Sequence, residues 1–477
     1  MFLFFILPIC AALLLRIRAF KRSEACRRAL VLAVFILLSL QFLRFVAASH
    51  SLPYVIVAGF WPHYAGIVWM IDGISLVFCI AVLVVYLPVA WVFCEAKNPN
   101  HLMFLHFLLG FSFGALLSGD FFNLFVMSEL FLIASFAVFF SAETLKSARL
   151  YFWIQILGSG VFLLAIAFLY KTHATLNFAD FSIRFPSQSE HTRDVLGSLF
   201  LFVFLLKAGS FPLLAGIPSA YSSLPTPWFA FLAAISAKLG IYAALRFLIL
   251  TNGEFVHAHP IIFFVLGFLT ALLGWIGALG SLTLRKRFLY FAISHIGFFL
   301  ICTEAVFLAA GHYALAAILY FLPFDCLIIA GLVLSESDQK ESDAEEDMTP
   351  FQMRWPLALL LLAGSGLPPF AAFWSELAAL KGSVTSKFFF ASLLLYGVCN
   401  LYVSARIWLL LFWETRPRKV RVEAIFCALA CLFAVWMGIA HFDWYEEIGR
   451  RTKEPLILIK RFHDSSRQIE KVREGGR

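Results

Sequence analysis

The stretch FFNLFVMSELFLIASFAVFF, residues 121–140, carries a single ionisable side chain, Glu129. A helix rises 1.5 Å per residue, so about 20 apolar residues cross the roughly 30 Å hydrocarbon layer of a bilayer. The stretch therefore reads as a membrane span with a carboxyl group near its middle. Working outward in both directions, comparable apolar runs fall near 2–15, 29–47, 73–94, 102–118, 150–170, 195–215, 228–250, 260–283, 288–310, 312–334, 355–380, 387–413 and 422–441. With 121–140 they predict an all-α membrane protein of about 14 transmembrane helices, which would use roughly 280 residues. Of the 477 residues, 62% are apolar and only 14% charged, against about 25% charged in a soluble domain. Such a chain cannot hide its apolar surface in water, and no large soluble domain fits between the runs.

Thirty-seven Lys and Arg against 29 Asp and Glu give a formal charge of +8. The basic residues sit between the apolar runs, so topology and anionic lipid headgroups explain them and a nucleic-acid partner is not implied. No positive residue precedes the first run, while Arg16, Arg18, Lys21, Arg22, Arg27 and Arg28 follow it. This predicts an uncleaved first span with its N-terminus outside the inner (cytoplasmic) membrane. Arg285 to Arg287 and Arg416 to Arg421 then fall on the cytoplasmic side. The basic tail 442–477 conflicts with an even number of spans; an amphipathic helix or one miscounted span would reconcile it. The acidic connection SESDQKESDAEEDMT, 335–349, reads as a solvated linker. Nine cysteines lie mostly inside apolar runs and form no CxxC pair, which makes them small buried side chains.

An Asp, Lys or Arg at the centre of a spanning helix costs roughly 2.5–3.5 kcal/mol, so each midspan charge needs a reason. Glu129, Lys207, Lys238 and Glu376 stand out, and His295 and Asp325 add to them. Any one of these could be a hydrogen-bonded packing residue. Carboxylates and amines together in several spans favour a translocation path. Burial disfavours the charged form of both groups and pairing favours it, so a buried Glu and Lys form a switch in which moving the partner moves the proton.

The backbone is interrupted beside two of these charges. Lys207 is followed by Gly209, Pro212, Gly216 and Pro218, and Glu376 is preceded by Gly364, Gly366, Pro368 and Pro369. Proline removes a helix hydrogen bond and kinks or breaks the helix, and transporters use such breaks to place charged groups near the midplane. Pro212, Pro368 and Pro369 are the candidate breaking residues.

Several segments also resemble a known family. GDFFNLFVMSELFLIASFAV (119–138), LLKAGSFPLLAGIPSAYSSLPTPWFAFLAAISAKLGIYAALRF (205–247), RFLYFAISHIGF (287–298), GLPPFAAFWSE (366–376) and IDGISLVF (71–78) are similar, in order and spacing, to the antiporter-like subunits of respiratory complex I, membrane-bound hydrogenases and multisubunit cation/proton antiporters. THATLNFADF (172–181) resembles the D-type subunit of the Mrp-type sodium/proton antiporters. The resemblance implies two inverted five-helix repeats with broken seventh and twelfth spans. It divides the chain into N-terminal helices 1–101, a first repeat 102–250, a second repeat 251–413, and a last span with tail 414–477. It also implies that Glu129, Lys207, Lys238 and Glu376 belong to a polar axis relaying protons along the membrane plane.

The pattern is broken at one place. YFLPFDCLIIAG (320–331) lacks the family's His-rich run and following Lys, and Asp325 is its only ionisable group. Either Asp325 acts as a carboxyl relay, or water and His295 carry the step, or the axis is interrupted. The expected function is a proton-translocating subunit of a cation (sodium)/proton antiporter, with other membrane subunits as partners, protons and sodium as candidate ions, and no cofactor, metal site or catalytic residue of its own. The competing expectation is a pumping subunit of an NADH-quinone oxidoreductase or membrane-bound hydrogenase, whose redox chemistry would lie in partner chains.

Overall fold

A computed structural model describes residues 1–17, 20, 23–47, 53–58, 66–96, 98–259, 261–335, 355–414 and 425–432, together with 443, 445–448 and 450. The acidic connection from 336 onward and nearly all of the basic tail lie outside the described residues. In chain order the helices are α1 (Phe2–Leu14), α2 (Glu24–Ala47), α3 (Gly73–Glu95), α4 (Asn100–Leu116), α5 (Phe121–Ser141), α6 (Leu145–His173), α7 (Phe178–Arg184), α8 (Glu190–Ala208), α9 (Ile217–Ser222) and α10 (Thr226–Leu250). They continue as α11 (Glu254–Ala258), α12 (Ile262–Gly280), α13 (Leu284–Ala305), α14 (Gly311–Leu334), α15 (Trp355–Gly364), α16 (Ala371–Ser383) and α17 (Lys387–Leu409). Nine helices among the described residues are long and apolar enough to cross a membrane, so the chain is a multi-pass membrane protein. Of the expected run 422–441, residues 425–432 are described, and they are helical.

One departure from an all-helical chain is an antiparallel pair, β1 (Tyr54–Val57) with β2 (Val68–Ile71), in the register Tyr54 to Ile71 and Val57 to Val68. These segments are too short to span and rich in β-branched residues, which suit a pleated ribbon. The ribbon is tied to the helices through Asp120. Its carboxylate accepts hydrogen bonds from the Val68 amide at 2.9 Å and, as the cap of α5, from the Asn123 amide at 2.6 Å. A side-chain oxygen at that position satisfies one of the amides that a helix start leaves unpaired.

Burial divides the helices into two classes. The described residues of α14 from Ala314 to Leu334 are all buried, and α14 packs against α3, α10, α13, α15 and α16. Helices α10 and α13 are buried along most of their length, whereas α2, α5, α6, α12 and α17 keep exposed apolar faces. Ile133, Phe140, Trp153 and Leu157 are examples of such outward side chains. In lipid these faces carry no hydrophobic penalty, and what holds the helices together is close packing and polar contact. Small residues make the close approaches: a Cβ on Gly274 would lie 2.5 Å from the Ser294 amide nitrogen, and one on Gly240 would lie 2.2 Å from that of Ala208.

Two helices are broken where glycine and proline cluster. Helix α8 stops at Ala208, with Gly209 in the left-handed region at φ +64°, and chain 209–216 leads into the short α9. Pro212 lies in this break. The Phe211 amide there donates to Thr270 Oγ1 at 2.9 Å. The second break separates α15 from α16 and contains Gly366 at φ +81°, Pro368 and Pro369.

Candidate functional site

Lys207 lies in the last turn of α8, directly before the first break, and its Nζ donates to Glu129 Oε1 of α5 at 3.0 Å. The contact joins two helices that are far apart in sequence. The side chains retain 12% and 20% exposure, so this pair is only partly withdrawn from its surroundings. Lys207 also borders a cavity of about 20 Å3 lined by Tyr151, Gln155, Tyr221 and Ser236 among others. That is room for a water molecule. Hydroxyl groups run along its wall: Tyr221 Oη lies 2.5 Å from Ser236 Oγ and 3.2 Å from Tyr151 Oη. A lysine beside such a cavity has polar groups to meet if it leaves Glu129.

The next ionisable cluster is more deeply buried. Lys238 of α10 and Asp325 of α14 form an ion pair at 2.7 Å, with exposures of 3% and 0%. The other carboxylate oxygen of Asp325 lies 2.5 Å from His295 Nδ1 of α13. Asp325 therefore bridges an ammonium and an imidazole contributed by two other helices. In the unusual span 312–334, Asp325 thus takes the place between Lys238 and His295. Lys238 also lies 5.5 Å from the Phe299 ring centre, over the electron-rich face.

Glu376 sits in α16, just after the second break. A Cβ on Gly366 would come within 2.5 Å of Glu376 Oε2, and one on Gly397 within 3.0 Å. The carboxylate thus lies close against the backbone at both glycines, and Gly366, at φ +81°, is also in a conformation that favours glycine. The broken end of α15 is held from α17: Asn400 Nδ2 donates to the Gly364 carbonyl at 2.8 Å. Gly364 is also next to His295, since a Cβ there would lie 3.4 Å from His295 Cε1. The six ionisable residues expected from sequence thus fall into three groups: Glu129 with Lys207, Lys238 with Asp325 and His295, and Glu376 beside the second break.

Three buried polar groups were not marked as sites by the sequence. Asp72 caps α3 through the Ser75 amide and also accepts two hydrogen bonds from Arg246, at 2.5 and 2.8 Å. Arg246 is held further by Tyr242 Oη, which donates to the Leu116 carbonyl at 2.6 Å. Arg246, close in sequence to Lys238, thus has a separate partner. Glu304 accepts the Ile261 and Phe264 amides at 2.6 Å each and so caps the start of α12 from α13. His106 joins the Tyr86 hydroxyl and the Leu102 carbonyl. For Asp72 and Arg246 the available signal was an ionisable residue close to a span end, which a cap or the membrane interface would explain; nothing marked Glu304 or His106.

Known proteins share both this sequence pattern and this fold. A family model described as NADH:quinone oxidoreductase/Mrp antiporter, transmembrane, matches residues 118–401. The chain is 27% identical over 440 residues to a protein named as the D-type subunit of a Na(+)/H(+) antiporter, from Alkalihalophilus pseudofirmus, covering 85% of this chain and 87% of that one. Its fold is similar to a chain of the Mrp complex from Dietzia sp. DQ12-45-1b, with a TM-score of 0.80, 20% identity, and coverage of 96% and 98%. It is equally similar to a chain of respiratory complex I from Thermus thermophilus, with a TM-score of 0.80, 18% identity, and coverage of 95% and 99%.

Proposed function

This chain belongs to the NADH:quinone oxidoreductase/Mrp antiporter transmembrane family, and we propose that it is the D-type, proton-translocating subunit of a multisubunit sodium/proton antiporter. The observation that carries this reading is the pairing of midspan charges across helices, Glu129 with Lys207 and Lys238 with Asp325 and His295. Paired intramembrane acids and amines are costly and mark ion pathways. In the proposed relay, protons enter near Glu129 and Lys207, pass Lys238, Asp325 and His295, and leave or hand over near Glu376. Separation of Glu129 from Lys207 is the gate.

The same reading includes 14 spans in two inverted five-helix repeats, with the domain limits 1–101, 102–250, 251–413 and 414–477. The two helix breaks, each beside a site charge, support the repeat. In this reading the N-terminus lies outside the cell inner (cytoplasmic) membrane, an orientation supported by the basic residues that follow the first span. The partners are further membrane subunits, as the names of the similar proteins suggest.

In vesicles holding the whole assembly, Glu129→Gln or Lys207→Ala should abolish cation exchange driven by a pH gradient. Unchanged exchange at normal expression would overturn the reading. The alternative, a pumping subunit of a redox enzyme, is favoured by the equal fold similarity to the complex I chain. Copurifying chains decide between the two: small membrane subunits alone support the antiporter, and peripheral iron–sulfur proteins support the redox enzyme.

A further inference from the structure

The proposed relay has a gap between His295 and Glu376, and helix α17 lines it with Tyr396, Gly397 and Asn400. Gly397 lies against Glu376, and Asn400 holds the Gly364 carbonyl beside His295 while reaching toward the Glu376 carboxylate. The Tyr396 ring packs on Phe298 and Trp275, with centres 5.1 and 5.4 Å apart. Tyr396 is the chain neighbour of Gly397, whose Cβ position lies 3.0 Å from Glu376 Oε2.

His295, Tyr396 and Asn400 are each at most 1% exposed. Even so, His295 Nε2 and Asn400 Oδ1 make no hydrogen bond to any described residue, and Tyr396 Oη, outside hydrogen-bonding geometry to any of them, faces the Ser294 side chain beside His295. Buried polar atoms are nearly always bonded, so these groups on adjoining helices call for partners. Water is the partner of suitable size and chemistry, since a buried water makes about three such bonds. We propose that His295, Tyr396 and Asn400 form a water-binding site through which a proton passes between His295 and Glu376. The inference rests on the proton-relay reading above.

Asp325 fixes the imidazole by accepting from Nδ1, which leaves Nε2 facing the site. When Nε2 carries a proton it gives it to the oxygen before it, water or Tyr396 Oη. That oxygen releases its own proton toward the Glu376 carboxylate. One N–H bond breaks and one carboxyl O–H bond forms, and the intervening oxygen ends with the proton count it began with. Tyr396 is a relay group in this step, and Asn400 is a positioning residue that orients the water and the end of α15.

The test uses the intact assembly in proteoliposomes. Tyr396→Phe removes one oxygen and keeps the ring packing, and it should slow proton-coupled exchange at least about tenfold and raise the solvent deuterium isotope effect. Asn400→Leu, similar in volume, should do the same and provides a second route if Tyr396→Phe does not assemble. Wild-type rate and isotope effect in either assembled variant would overturn the inference. Glu129→Gln is run alongside: if it abolishes exchange while Tyr396→Phe does not, only the site fails, and if neither variant matters, the relay reading itself fails.

Discussion

Asp325 is the side chain on which the middle of the proposed path depends, because one carboxylate faces both Lys238 and His295 with no exposure. Removing one member of a buried pair leaves the other charge uncompensated and typically costs about 3–5 kcal/mol, whereas replacing both by apolar groups is often neutral. Asp325→Asn should therefore lower the Tm of the purified assembly, and Lys238→Leu combined with Asp325→Leu should restore most of it. A combined variant less stable than Asp325→Asn would show that the pair stabilises in its own right. In sequence, Asp325 is visible as a lone acid in an apolar run. Its two partners are not, because they depend on how α10, α13 and α14 are rotated against one another. Asp72 and Arg246 were hidden for a different reason: each lies where a cap or a span end accounts for it.

The helix breaks are the elements that set the site, and their glycines are testable. Gly216 has φ +88°, and a Cβ on it would lie 2.7 Å from the Tyr151 backbone nitrogen. Gly216→Ala should cost about 1–3 kcal/mol, read as a lower Tm, and should weaken transport because the break positions Lys207. Gly160 on α6 is the control: it has open space around its Cβ position, and Gly160→Ala in a helix should be neutral or slightly stabilising. Equal effects of the two changes would argue against a special role for the break. The breaks themselves were legible, since Gly and Pro punctuate the apolar runs beside Lys207 and Glu376. Their limits were not: the expected run 195–215 is a helix only to Ala208 and begins earlier, at Glu190. Ser189 caps a polar first turn there, which a search for apolar runs passes over. The ribbon of β1 and β2 was missed because hydropathy windows long enough to find spans pass over four-residue strands.

Across the whole molecule, hydropathy locates the spans but not their neighbours. Helix α14 and helix α6 are comparably apolar, yet α14 is buried throughout and α6 presents Trp153, Leu157 and Leu164 outward. Lipid and protein interior are similar solvents for leucine, so composition alone cannot say which helix is central. The polar groups do say so. Lys238, Asp325 and His295 sit on α10, α14 and α13, the most buried of the described spans, where they are paired inside the protein. In the proposed mechanism these paired charges conduct protons and do not merely hold helices together. The combined Lys238→Leu and Asp325→Leu variant separates the two roles, since it is expected to keep the assembly stable. Exchange driven by a pH gradient in proteoliposomes of that assembled variant should be absent. Exchange at the wild-type rate would contradict a conducting role.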